Sequence, residues 1–356
     1  MKFFPLKLTC VERITEDSVR LTLDVSEHAD QFKYLSGQYI TFCFNLSDEN
    51  LHRAYSVCSA PHENKFQVAV KEVPKGRVSL HANRHLTTGD TLNVNPPQGN
   101  FVYKPDPSAT KHVILFGAGS GITPLVSIAK TVLHNEPNSR VTLFYGNRSK
   151  DTIMFYDEID KIAEDDRMDV YHILSDGSTG VPLFSGRINF GKTLELLYNF
   201  ANNDMQKEFF ICGPGGMMNS VKNALKDSNI SDENIHMEYF ENPGQIDDPG
   251  DISVEEQDED AFTGEAAVKV ILDDEEFDLS VHTSGKTILD AALDEGADAP
   301  FSCQGGVCTS CKAKLLEGKV RMLSNFALTD QEMEEGYILT CQAHPTSKNV
   351  KISYDE

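Results

Sequence analysis

Nine consecutive residues constrain this chain more than any other stretch: Cys303-Gln304-Gly305-Gly306-Val307-Cys308-Thr309-Ser310-Cys311. With Cys341 they spell C-x4-C-x2-C and a distant fourth cysteine. Three thiolates on one loop and one on a returning strand are the ligand spacing of a [2Fe–2S] cluster. Gly305 and Gly306 let the loop fold tightly and aim N–H groups at the sulfurs, where a Cβ would obstruct. Thr309 and Ser310 are small and can add hydrogen bonds. Zinc-binding cysteines usually come as two C-x2-C pairs, and only one such pair is present. A disulfide framework needs an oxidising compartment, of which the sequence carries no sign. Cys303, Cys308, Cys311 and Cys341 are therefore the expected metal ligands.

A cluster of this kind carries one electron, so the rest of the chain should feed it. At 356 residues the chain has room for two or three domains. No apolar run reaches the length of a membrane span, and residues 1–12 lack a signal-peptide core, so a cytoplasmic location is expected. Cys10, Cys43 and Cys58 lie in strand-like contexts and read as free buried thiols. His81 and His85 stand four apart without the acid of an H-E-x-x-H site and read as a solvated helix face. The net charge of −23 is uneven: −6 over residues 1–244, −8 over 245–260 and −9 over 261–356. That balance argues against nucleic acid, which needs clustered Lys and Arg, and permits steering toward a basic partner.

Residues 1–106 show short alternating segments, Lys7–Ile14, Ser18–Val25, Tyr39–Phe44, Phe66–Val73 and Thr91–Asn95, separated by turn residues. They read as an antiparallel β-barrel. Arg53-Ala54-Tyr55-Ser56 places Arg53 and Tyr55 on one side of a strand. The trio Arg53, Tyr55 and Ser56 could pair a phosphate, stack on a flat ring and hydrogen-bond to it; it could equally be a core tyrosine beside a surface arginine. Gly76-Arg77-Val78-Ser79 reads as a turn entering a helix, a natural phosphate site.

From residue 107 to 243 strands alternate with helices. Lys111–Phe116 reads as a buried strand, Gly117-Ala118-Gly119-Ser120-Gly121-Ile122-Thr123-Pro124 as a glycine turn, and Leu125–His134 as a helix. This is the opening of a nucleotide-binding, doubly wound α/β domain with a parallel sheet. Taken alone it could be only a tight turn. The next strand, Arg140–Tyr145, ends in Gly146-Asn147-Arg148-Ser149-Lys150. No acid stands there to select a free ribose 2′-OH, so Arg148 and Ser149 favour NADPH, with NADH open if Arg148 is merely solvated. Further elements are expected at Phe155–Glu164, Asp169–Leu174, Lys192–Phe200 and Glu208–Ile211, the last running into Cys212-Gly213-Pro214-Gly215-Gly216-Met217. Glu238-Tyr239-Phe240 should end a strand. Residues 244–261 are acidic and should form an extended tether. After it come a hairpin, Ala266–Leu272 and Glu276–Val281, a helix, Thr287–Glu295, and strands Lys312–Leu316 and Gly336–Thr340.

Residues 262–356 resemble a plant-type ferredoxin, which implies an α+β β-grasp fold. The R-x-Y-S, G-x-x-S and G-x-G-x-G-x-x-P segments, in that order, resemble the ferredoxin-NADP reductase superfamily. The whole chain is similar to the three-domain oxygenase reductases of that superfamily, those of phenylacetyl-CoA epoxidases included. The resemblance implies domains at 1–106, 107–243 and 262–356. It puts Arg53 on the flavin phosphate, Tyr55 against the isoalloxazine and Ser56 near N5. Ala54, Val70, Lys71, Val73 and the Gly76, Arg77, Val78, Ser79 turn complete the FAD site. It assigns NAD(P) to Gly117, Gly119, Gly121, Ile122, Thr123, Pro124, Arg148 and Ser149. Cys212, Gly213, Pro214 and Met217 belong beside the nicotinamide, Phe240 over the flavin, and Glu238 at the proton balance. Ser56, Cys212 and Glu238 are thus the candidate catalytic residues. The implied activity passes electrons from NADPH through FAD and the cluster to an oxygenase component of diiron or Rieske type, phenylacetyl-CoA epoxidase first. A steroid, alkane or fatty-acyl hydroxylase, or a free ferredoxin or flavodoxin, is the alternative acceptor. A redox-sensing binding module is the rival of a different class.

Overall fold

The structure is a computed structural model and describes residues 2–47, 49–176, 180–240 and 262–356. Its first sheet follows from alternation. β1 (Phe4–Thr15), β2 (Ser18–Leu23), β3 (Tyr39–Leu46), β4 (Glu49–Ser56), β5 (Phe66–Lys71) and β6 (Thr91–Gln98) pair antiparallel in the order β4-β3-β6-β1-β2-β5. Phe4, Leu6 and Leu8 alternate inward with Pro5 and Lys7 outward. A register shift between Leu8 and Cys10 breaks that alternation and turns Cys10 to solvent. The expectation of three buried thiols is corrected accordingly: Cys58 is buried, Cys43 half-buried and Cys10 exposed. An antiparallel bridge, Val57 to Val68, joins the two edges of the sheet, so it curls into a barrel. Ile40, Phe42, Phe44, Val68 and Val70 fill it, with Val78 and Ala82 of helix α1 (Arg77–Arg84).

The second sheet is parallel: β7 (Lys111–Ala118), α2 (Ile122–Asn135), β8 (Arg140–Asn147), α3 (Tyr156–Ile162), β9 (Met168–Leu174), α4 (Phe190–Phe200), β10 (Gln206–Cys212), α5 (Gly215–Asp227) and β11 (Ile235–Glu238). Strand order is β11-β10-β7-β8-β9. β7 carries a continuous apolar run because both its faces are covered. α2 and α3 close one core and α4 and α5 the other. The order reverses between β7 and β10, which opens the crevice where ligands of such sheets bind. The Tyr103 hydroxyl donates to buried Glu136 at 2.6 Å, and Asp106 N donates to the same oxygen at 2.9 Å, fixing the chain between barrel and sheet.

The C-terminal part is a mixed sheet with a helix across it. β12 (Glu265–Leu272), β13 (Glu275–His282), α6 (Ile288–Asp294), β14 (Lys312–Glu317), β15 (Val320–Met322), α7 (Asp330–Glu334), β16 (Tyr337–Leu339), β17 (Ala343–Pro345) and β18 (Asn349–Ser353) follow in sequence. Five of the strands stand in the order β13-β12-β18-β14-β16, with β12 and β18 parallel, and β15 pairs with β17. Asp273 and Asp274 both have positive φ, the turn that suits a two-residue hairpin. The Asp355 carboxylate accepts from both their N–H groups.

By contact the chain divides into two compact units, Lys2–Pro243 and Gly244–Glu356. The acidic tether expected at 244–261 lies outside the described residues. Among the described residues no helix is long and apolar enough to cross a membrane.

Candidate flavin, nicotinamide and iron–sulfur sites

β4 delivers the Arg53–Ser56 segment, paired to β3 with Ile40 opposite Tyr55 and Tyr39 opposite Ser56. Arg53 is exposed and donates to His52 O at 2.7 Å. Ala54 is half-buried. The Tyr55 ring lies 5.8 Å from Phe42, and burial pushes its hydroxyl pKa up, so it stays neutral. Ser56 is buried, and its Oγ has no hydrogen-bond partner among the described residues. An unpaired buried hydroxyl costs about 1–3 kcal/mol. It fits a site completed by a polar ring edge such as that of FAD.

Val70 is buried in the barrel. Lys71 sends its ammonium to Asp17 at 2.7 Å. Val73 is exposed, and its N–H donates to Ser79 Oγ at 3.1 Å; Ser79 Oγ donates on to Gly76 O at 3.2 Å. A Cβ on Gly76 would stand 2.4 Å from both Ser79 Oγ and Val73 Cγ2, so a larger residue would have to displace both side chains. Helix α1 starts there without a side-chain cap, leaving N–H groups for an anion. Arg77 pairs with Glu49 and donates to Leu46 O at 3.0 Å, while Val78 points into the barrel.

At the sheet's switch point two turns interlock. Gly117 lies in β7, Gly119–Gly121 form a short 3-10 turn, and α2 begins at Ile122. A Cβ on Gly121 would lie 2.1 Å from Cys212 O; one on Gly213 would lie 2.8 Å from Met217 Cε and 3.2 Å from Ala118 N. Gly119 has φ +54° and open space around it. Thr123 Oγ1 donates to Ser120 O at 3.0 Å, and Thr123 and Pro124 are buried in the first turn of α2. Pro214 caps α5. Cys212 stands in register with Gly117 on one side and Glu238 on the other. It is fully buried; burial pushes its thiol up and the Glu238 carboxylate adds to that, so it remains a neutral thiol, a shape and not a nucleophile. Arg148 is exposed beyond β8, and Ser149 N donates to Thr152 Oγ1 at 3.2 Å. Phe240 is exposed two residues beyond β11. β5 of the barrel lies against the Gly119–Gly121 turn. The two sites therefore meet within one compact unit.

The three loop cysteines and Cys341 are free thiols that come together in pairs. Cys308 Sγ is 3.1 Å from Cys303 Sγ, and Cys311 hydrogen-bonds Cys341. Among the described residues no group of three or more His, Cys, Asp or Glu forms a ready mononuclear metal site. Backbone N–H groups do aim at the sulfurs. Gly305 N donates to Cys303 Sγ at 3.3 Å, Val307 and Cys308 add theirs, and Gly306 serves Cys341. The Cys308 hydrogen bond, with these amides, lowers Cys303 to about 6. Four gathered sulfurs with backbone N–H groups aimed at Cys303 and Cys341 fit an anionic cluster held by four cysteines. Gly306 has φ +74° and lies against Ser324 O. The reading of Gly305 as the other special glycine missed Gln304, which carries the positive φ beside it.

Sequence reasoning also missed Tyr145, whose hydroxyl donates to Gly119 O at 2.9 Å and holds the Gly119–Gly121 turn. Its only signal was an aromatic at the end of a predicted strand.

Comparison with known proteins places these sites in context. Residues 5–103 match the oxidoreductase FAD-binding domain, 115–223 the oxidoreductase NAD-binding domain, and 270–346 the 2Fe-2S iron-sulfur cluster binding domain. Over 357 residues the chain is 35% identical to a subunit of the 1,2-phenylacetyl-CoA epoxidase of Escherichia coli (strain K12), covering 99% of this chain and 98% of that protein. It is 35% identical over 355 residues to the 3-ketosteroid-9-alpha-monooxygenase ferredoxin reductase component of Rhodococcus rhodochrous, covering 98% and 96%. The solved structure of phthalate dioxygenase reductase shares the fold, with a TM-score of 0.60 at 22% identity over 99% of this chain and 98% of that one.

Proposed function

Because the chain belongs to the reductase components of oxygenases built from FAD-binding, NAD-binding and [2Fe–2S] domains, we propose that it draws electrons from NADPH and delivers them to an oxygenase, phenylacetyl-CoA epoxidase first. When bound, FAD accepts a hydride and the cluster relays its electrons singly. The observation that carries the reading is the meeting of two incomplete sites. The unpartnered Ser56 hydroxyl lies in the same unit as the Gly119–Gly121 turn, and β5 touches that turn.

The chain's own residues divide the work. Arg53 and the uncapped Gly76–Ser79 turn hold the flavin phosphates. Tyr55 and Ser56 receive the ring and its N5 edge, and Phe240 covers it. The glycine turn and the start of α2 hold the nicotinamide dinucleotide. Cys212, Gly213, Pro214 and Met217 keep its ring dry and in place, which is what hydride transfer asks of a protein. Glu238 takes part in the proton balance. Cys303, Cys308, Cys311 and Cys341 ligate the cluster. Domains at 1–106, 107–243 and 262–356 accommodate the three family matches, and a cytoplasmic setting suits a chain using NADPH.

Arg148 and Ser149, with no acid at the end of β8, support NADPH over NADH. Anaerobic reduction by NADPH and by NADH in separate cells tests this. NADPH is expected to bleach the flavin at the lower concentration, and Arg148→Ala to raise KM for NADPH about tenfold or more while sparing NADH. Equal use of both by the wild type would contradict it. A second acceptor, a steroid hydroxylase, is supported by the equal identity to the Rhodococcus reductase. Reconstitution with each oxygenase in turn separates the two.

A further inference from the structure

One face of α2 ties the barrel to the parallel sheet. Ser127, Lys130 and His134 stand at i, i+3 and i+7, a single stripe. All three reach the segment Ser59–Glu63, which starts three residues after Ser56. Ser127 Oγ is buried and donates to Ser59 O at 2.6 Å. Lys130 Nζ donates to Glu63 at 3.1 Å and also pairs with Glu158. The His134 and His62 rings stack at 3.8 Å, 8° from parallel. The segment is held on the barrel side as well: Ser59 Oγ accepts from Gln67 N at 3.1 Å and lies 2.9 Å from Tyr34 Oη. Glu158 takes Arg20 of β2 at 2.6 Å. Cys58 and Ala69 share a buried core with Ile122, Leu125 and Val126.

Such joints could simply cement two domains. Their position argues for more. Gly121, locked against Cys212 O, stands six residues before Ser127, about 9 Å along a helix axis. A short, buried path thus connects Ser56 to the Gly119–Gly121 turn: three residues of chain to Ser59, one hydrogen bond to Ser127, and α2 back to Gly121. Hydride transfer requires reacting atoms about 3–3.5 Å apart, and an error of about 1 Å can cost on the order of 10²-fold. We propose that the Ser127–Lys130–His134 face of α2 is a spacer that sets how deeply the nicotinamide meets the flavin. The three are positioning residues that act through Ser59–Glu63. This rests on the flavin–nicotinamide reading above.

Ser127→Ala removes one hydrogen bond and little volume, and Ser127→Thr restores the hydroxyl. In the full-length holoprotein, anaerobic stopped flow at saturating NADPH reads the flavin reduction rate, NADP+ titration reads affinity, and amide hydrogen exchange reads residues 57–63. Ser127→Ala is expected to slow reduction about ten- to a hundredfold. It should also weaken the long-wavelength charge-transfer absorbance of the nicotinamide–flavin pair and speed exchange at 57–63. Affinity and FAD content should stay within about twofold, and Ser127→Thr should recover the rate. Lys130→Met, which removes the cation from Glu63 and leaves Glu158 with Arg20 alone, should slow reduction in the same way. Faster exchange with an unchanged reduction rate would make the joint mere cement and overturn the spacer. A wild-type flavin that neither NADPH nor NADH reduces would instead overturn the underlying reading, and the spacer with it.

Discussion

Gly121 and Gly119 sit two residues apart and should respond differently to the same change. At Gly121 an added Cβ meets the Cys212 carbonyl at 2.1 Å, and both partners are backbone. Gly121→Ala must part the two strand-end turns. A loss of nicotinamide-driven flavin reduction on the order of 10²-fold is expected, with a lower melting temperature. Gly119 has open space and only its φ of +54° to protect, so Gly119→Ala should cost about 1–2 kcal/mol in stability. Thermal melts and stopped-flow rates on the pair check this; equal damage from both would contradict it. His112 gives a pH test. Asn203 donates to its Nδ1 at 2.8 Å, so its Nε2–H donates to Thr142 Oγ1, also at 2.8 Å, and the ring is neutral. Burial, with the Arg140 and Lys207 charges, lowers it to about 4. The unfolded chain therefore binds the extra proton below about 6.5. The contribution is complete above that pH and is lost as pH falls toward 4, on the order of 3 kcal/mol in all. Urea unfolding between pH 7.5 and 4 should show this slope, and His112→Gln should flatten it. A wild-type stability that does not change over this range would contradict the assignment.

At the scale of elements, much was legible where the signal is local. The β12–β13 hairpin follows from alternation around two aspartates, and β7-turn-α2 from an apolar run ending in glycines. What escaped depends on partners far away. α5 begins at Gly215-Gly216, poor helix formers, and is helical because Met218, Val221 and Leu225 pack on the sheet. β15 and β17 are three residues each and exist only as a pair. The outward turn of Cys10 comes from a bulge that no residue type announces. The sites divide in the same way. The cysteines, the glycine turns and the Arg53–Ser56 segment are contiguous motifs. Ser59 and Ser127 are 68 residues apart and meet only in the fold.

At the scale of the whole molecule, the barrel and the parallel sheet form one unit and the iron–sulfur part lies in the other. The proposed function divides along the same line, with hydride acceptance in the first unit and the single-electron step in the second. Cys303→Ser or Cys341→Ser should therefore abolish the iron–sulfur absorbance and the reduction of one-electron protein acceptors. FAD content and flavin bleaching by NADPH should remain. Loss of flavin in those variants would contradict the division. The order of electron flow is tested most directly by anaerobic stopped flow that follows the flavin and iron–sulfur bands separately after mixing with NADPH. The flavin band should bleach first, the iron–sulfur band should follow, and Cys341→Ser should retain the first phase alone. A cluster that bleaches before the flavin, or a wild-type flavin that bleaches while the cluster never does, would contradict that order.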